Sequence, residues 1–164
     1  MKYRRLTIEE LEELENEFVR FLAANTVTSE DWVQLKTTSP EKANQLIDIF
    51  SDIVFEKVIQ KINYLEHRSP KDLKLFECLE DKIKLIGIKV SDVESFDFTK
   101  KQKAEEMFYQ FRVAPKGSIK MYSAEKGYKN SDRSQELFKM MQDGCLISDG
   151  KLYKTMLDST KNEI

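Results

Sequence analysis

The stretch from Ser39 to Arg68, "SPEKANQLIDIFSDIVFEKVIQKINYLEHR", constrains the fold more than any other in the chain. Ser39 can cap a helix, Pro40 suits its first position, and the apolar residues that follow recur at helical spacing. The sequence therefore predicts one long helix ending near Arg68. On a wheel of about 100° per residue with Asp48 at zero, the apolar positions between Ala43 and Val54 centre near roughly 190°, and those from Phe55 onward near about 310°. Such a helix must pack against different neighbours along its two halves, or break near Phe55. Ile49 and Phe50 are expected to meet a different set of residues from Ile59 and Ile62.

The same stretch spaces Asp48, Asp52 and Glu56 four residues apart and holds His67, the chain's one histidine. The wheel puts these carboxylates where an amphipathic helix carries its solvated side chains, so their shared spacing reads as incidental. Hard cations take oxygen ligands, yet a lone helical stripe leaves most of the coordination sphere unfilled, and no metal is assigned. His67, between Glu66 and Arg68 near the predicted helix end, reads as a surface cation. A nucleophilic mechanism would have to pair it with a residue such as Cys78, which alternates with Phe76 in a strand-like run and reads as core.

Ahead of this helix, "LTIEELEELENEFVRFLAAN" carries a capping box, Thr7 with Glu10, and an apolar face of Ile8, Leu11, Leu14, Phe18, Phe21 and Leu22. A second short helix begins at Thr28 or Ser29, with Trp32 as its packing anchor. Beyond "RSPKDL", the runs "LKLFECL" and "IKLIGIKV" flank a short charged turn and read as a hairpin, with Gly87 marking a bulge or a close backbone approach. Thr99 and Gln102 offer a capping box for a helix bearing Met107, Phe108 and Phe111. "GSIKMYSA" reads as a strand, and "SDRSQELFKMMQDG" as a helix bounded by Ser131 or Asp132 and by Gly144. In "CLISDGKLYKT", Asp149-Gly150 between two apolar runs predicts a closing hairpin. The expected fold is one α+β domain over 1–164. It is helical through 68, mixed hairpin, helix and strand over 69–157, and frayed over 158–164, with the helices packed on a largely antiparallel sheet built from hairpins.

With 164 residues the chain can bury a core without staples, and its five Gly and three Pro suit helix-rich structure. Cys78 and Cys145 belong to no CxxC pair and read as reduced packing residues, which with an acidic opening "MKYRRLTIEELEE" points to a cytoplasmic protein with no membrane contact. The net charge of −2 is uneven. Residues 1–98 carry 14 Lys/Arg against 20 Asp/Glu, residues 99–133 carry 9 against 4, and residues 134–164 carry 4 against 5. "APKGSIK" lacks the upstream glycine of a phosphate-binding loop, and no GxGxxG occurs.

The segments "MKYRRLT", "FSDIVFEKV", "YLEHRS" and the "LYK" of "DGKLYK" resemble those of a family of small, uncharacterised bacterial proteins, over nearly the whole chain. The resemblance implies a bacterial cytoplasmic protein. It brings no activity, cofactor or catalytic residue to carry over.

Three functions remain. The first is a non-enzymatic domain acting through a protein partner or self-association, which requires an exposed apolar patch. The second is nucleic-acid association through the basic block, by Lys100, Lys101, Lys103, Arg112, Lys116, Lys120, Lys126 and Lys129 interleaved with aromatics. The third, a hydrolase or metal-dependent enzyme on Asp48, Asp52, Glu56 and His67, trails both; no catalytic residue, metal or cofactor is assigned.

Overall fold

A computed structural model describes residues 1–161. The chain forms two compact units, Met1–Gln60 and the part from Lys61 onward, and the fold is α+β.

The first unit is helical: α1 (Ile8–Glu13), α2 (Glu15–Ala24), α3 (Ser29–Thr38) and α4 (Pro40–Gln60). Thr7 and Glu10 form the expected capping box, the Thr7 N–H donating to Glu10 Oε2 at 2.8 Å and the Glu10 N–H to Thr7 Oγ1 at 3.2 Å. The predicted first helix is interrupted at Leu14, which closes α1 and opens α2. Phe18 and Phe21 of α2 meet Phe50 of α4 at 5.0 and 5.3 Å between ring centroids, and Trp32 of α3 stands edge-on to Phe18 at 5.2 Å. The aromatic residues thus tie three helices together.

Helix α4 does not break near Phe55. Its buried residues progress from Ala43 and Phe50 through Ser51 to Ile59, a turn of the inward side from roughly 210° through 300° to 20° on the same wheel. Phe50 faces α2, while Phe55 lies 5.9 Å from the Tyr3 ring and beneath the Arg4 guanidinium at 4.8 Å. Ile49 stays about half exposed and Ile62 lies beyond the helix, so the neighbour change belongs to Phe50 and Phe55.

The second unit is an antiparallel sheet of β1 (Tyr64–Ser69), β2 (Asp72–Cys78), β3 (Lys82–Val90), β4 (Ile119–Gly127) and β5 (Leu146–Ser148), in the order β4-β3-β2-β1-β5. Helices α5 (Ala104–Val113), α6 (Arg133–Gln142) and α7 (Lys151–Lys161) complete it. Leu73, Leu75, Ile86, Ile88 and Val90 bury one sheet face against Phe96, Phe98, Met107, Tyr153 and Met156. Alternation along the strands sends their neighbours to the opposite face.

Several sequence expectations are corrected here. The long helix stops at Gln60, and "YLEHRS" is β1, because this segment pairs with β2 on one side and β5 on the other, a long-range demand that local periodicity does not register. The closing hairpin is absent. Gly150, at φ 81°, follows β5 into α7, with Ser148 Oγ accepting its N–H at 3.1 Å and Asp149 Oδ1 accepting that of Lys151 at 3.0 Å. Leu152, Tyr153, Met156 and Leu157 then enter the core at helical spacing. Asp158 to Lys161 extend α7, and the rest of the expected frayed tail, 162–164, lies outside the described residues. Helix α5 starts beyond the proposed Thr99 cap, with Glu106 Oε2 accepting the Lys103 N–H at 3.3 Å.

Candidate functional site

The carboxylates of α4 are occupied by the chain itself. The segment Lys2–Leu6 runs antiparallel to α4 as a strap, and Asp52 accepts the backbone N–H groups of Lys2 at 2.6 Å and Tyr3 at 2.9 Å. Glu56 accepts the Tyr3 hydroxyl at 2.5 Å and the Lys2 ammonium at 2.9 Å. Asp48 takes the Arg5 guanidinium through Nε at 2.6 Å and Nη2 at 3.0 Å. The four-residue spacing is therefore functional in folding and is not the solvated stripe that the wheel implied: successive helical turns grip successive residues of the strap. Arg5 holds the Asp48 carboxyl below its usual range, and Tyr3 with Lys2 does the same for Glu56. Among the described residues no group of three or more His, Cys, Asp or Glu side chains is placed to hold a metal ion.

His67 stands on β1, where a Cβ added to Gly144 would come within 3.7 Å of its Nε2, and not at a helix end. It is paired in register with Lys74, so Cys78 lies four residues further along β2, roughly 13 Å away. Burial pushes the Cys78 thiol up to about 12, which keeps it protonated and unreactive at neutral pH. The geometry does not pair His67 with Cys78.

The basic block is spread over unit 2. Lys100 and Lys101 lie exposed before α5, Lys103 is its N-cap, Arg112 is in its last turn, and Lys116 sits in the turn before β4. Lys120 and Lys126 share one face of β4 but are six residues apart, about 20 Å. Lys126 and Lys129 do come together: Glu136 of α6 takes an ion pair from the Lys126 ammonium and accepts the Lys129 N–H at 2.8 Å. Lys139 completes that groove, of about 710 Å³.

The sheet edge at β5 presents a different kind of site. Among the described residues β5 pairs on one side only, with β1, and its Leu146 and Ile147 are 61% and 54% exposed. Beside it opens a cleft of about 380 Å³, in which Met107 and Phe108 of α5 and Leu152 of α7 supply apolar wall. Glu66 and Arg68 of β1, in an ion pair at 3.2 Å, Lys103 and Lys151 supply charge around it. The Arg68 Nη1 is further fixed by the Phe98 carbonyl at 3.3 Å.

The strand's exit is set by a close approach. The Tyr64 ring lies over Gly150, where an added Cβ would fall 2.4 Å from two ring carbons, and the Lys154 ammonium lies 5.4 Å from the ring centroid on the same tyrosine. An unpaired backbone edge next to an apolar cleft is the arrangement that receives an extended peptide. The sequence displayed "CLIS" as an apolar run. That Leu146 and Ile147 face outward depends on strand order, which no local pattern states.

A family model described as a family of unknown function, DUF6495, matches residues 1–161. Comparison with curated proteins and with solved structures returns no match. Among the described residues no helix is long and apolar enough to cross a membrane.

Proposed function

Because the chain belongs to the DUF6495 family of unknown function, which brings no activity to carry over, we propose from geometry that it is a non-enzymatic protein-interaction domain that captures an extended peptide at β5. The observation that carries this reading is the free β5 edge with two large apolar side chains more than half exposed. Such an edge is an aggregation hazard unless it is covered, and a partner strand covers it with main-chain hydrogen bonds. An apolar side chain of the partner would seat against Met107, Phe108 and Leu152, with Lys103, Lys151 and the Glu66–Arg68 pair reading its polar flanks.

Two buried free thiols, Cys78 and Cys145, and the resemblance to bacterial proteins support a bacterial cytoplasm as the setting. The test is selection from a displayed random-peptide library, followed by affinity measurement of the enriched peptides. Ile147→Pro, which removes an edge N–H, should weaken them at least tenfold, while Lys129→Ala leaves them unchanged. Peptides that bind both variants alike, or no enrichment at all, would refute the reading. A native partner recovered by affinity purification should also survive nuclease treatment.

A further inference from the structure

The sheet register assembles a basic, aromatic face that the linear basic block does not contain. One transverse row across β1, β2, β3 and β4 is His67, Lys74, Gly87 and Tyr122, and the row beside it is Ser69, Asp72, Lys89 and Lys120. Alternation puts both rows on the face opposite the Leu73, Leu75, Ile86 and Ile88 core. Lys74 and Lys89 come from strands far upstream of the basic block and Lys120 from within it, so only pairing brings the three ammonium groups to one surface.

Tyr122 is the centre of this face. A Cβ built on Gly87 would lie 1.9, 2.2 and 2.4 Å from three of its ring carbons, the distances of a point facing the ring plane and not its edge. The ring therefore lies flat on the Gly87 backbone with its other face turned from the sheet. Its hydroxyl donates to Asp72 Oδ1 at 2.7 Å, which fixes the ring in that pose, and Asp72 also pairs with Lys74. Asp72 thus neutralises Lys74 and leaves Lys89 and Lys120, both exposed, as surplus cations. The Lys89 ammonium stands 5.7 Å from the Tyr122 ring centroid, so a phosphate bound by Lys89 keeps its own base within reach of the ring.

We propose that this face binds single-stranded nucleic acid, a base stacking on Tyr122 and the adjoining phosphates lying on Lys89 and Lys120. A flat aromatic ring on a sheet face, flanked by exposed cations, is the platform on which unpaired bases stack without sequence preference. Duplexes keep their base faces covered and cannot use the ring. With a net charge of −2 the whole chain gives no general attraction to a polyanion, so binding has to come from this local field. The site is separate from the β5 edge, and neither proposal depends on the other.

The test measures fluorescence anisotropy of labelled 12-nucleotide oligouridine and oligodeoxythymidine strands at low salt, with the corresponding duplex for comparison. Both single strands should bind, with the affinity falling as salt rises and the duplex at least tenfold weaker. Lys89→Ala with Lys120→Ala should weaken binding about tenfold and flatten its salt dependence, and Tyr122→Leu should weaken it about tenfold. Lys100→Ala with Lys101→Ala, changes in the segment ahead of α5, should stay within about twofold of wild type. Photo-crosslinking of a 5-iodouracil strand to the unaltered protein should label Tyr122, a readout that needs no variant to fold. Binding of neither strand, equal binding of duplex, insensitivity to the Lys89 and Lys120 changes, or a crosslink elsewhere would each overturn the proposal.

Discussion

Ser51 joins Leu6 to the middle of α4: its hydroxyl accepts the Leu6 N–H at 3.0 Å and donates to the Ile47 carbonyl at 2.7 Å, with the serine side chain fully buried. A polar residue is needed on the inward side of this helix because the strap arrives there with an unpaired amide. Ser51→Ala should cost about 1–3 kcal/mol, the expense of leaving a buried donor unsatisfied, and urea unfolding would measure it.

The strap should be acid-labile. Asp48 and Glu56 are both held below their usual values of 3.8 and 4.5, by Arg5 and by Tyr3 with Lys2, and Glu10 is held down to about 2 by Arg4 and the Thr7 cap. Groups with depressed folded values stabilise above the unfolded value, and that contribution is lost as pH falls through the folded one. Strap contacts should therefore persist at neutral pH and weaken on descent from about pH 4.5 toward 2. The Arg5 Nε–H resonance, followed by NMR across that window, should move with the Asp48 titration; a resonance constant throughout would show that the ion pair does not hold the strap in solution.

At Gly87 the constraint is contact and not backbone conformation. Any Cβ there would displace the Tyr122 ring, so Gly87→Ala should destabilise by about 1–3 kcal/mol and disturb the hydrogen bond to Asp72. In the double variant Gly87→Ala with Tyr122→Ala the steric cost should largely vanish, giving a coupling that a thermodynamic cycle reads directly.

Arg133 pins strand ends from within the second unit. Its guanidinium donates to the carbonyls of Ile62, Cys78 at 3.2 Å and Leu79 at 3.1 Å, and the Tyr128 hydroxyl adds a bond to Leu79 at 2.6 Å. Lysine carries one point of charge where this site uses a planar fork, so Arg133→Lys should lose on the order of 2 kcal/mol and Arg133→Ala somewhat more. Chemical denaturation of the two variants beside wild type would rank them.

What the sequence determined by itself was local. The Thr7–Glu10 capping box, the start of α3 at Thr28, the helical start at Pro40 and the hairpin of β2 and β3 follow from residues a few positions apart. Tertiary structure decided everything that required distant partners. "YLEHRS" became a strand because two other strands flank it, and Asp149-Gly150 opened a helix because the core takes Tyr153 and Met156 at helical period. Asp48, Asp52 and Glu56 looked solvated on a wheel because a wheel shows which side of a helix is apolar and not what crosses its polar side. The strap crosses it, some 45 residues upstream in the chain. The same reason separates the basic block, contiguous in sequence and scattered in space, from Lys74, Lys89 and Lys120, scattered in sequence and adjacent across the sheet: strand pairing sets neighbours by register, and register depends on contacts a linear reading does not contain.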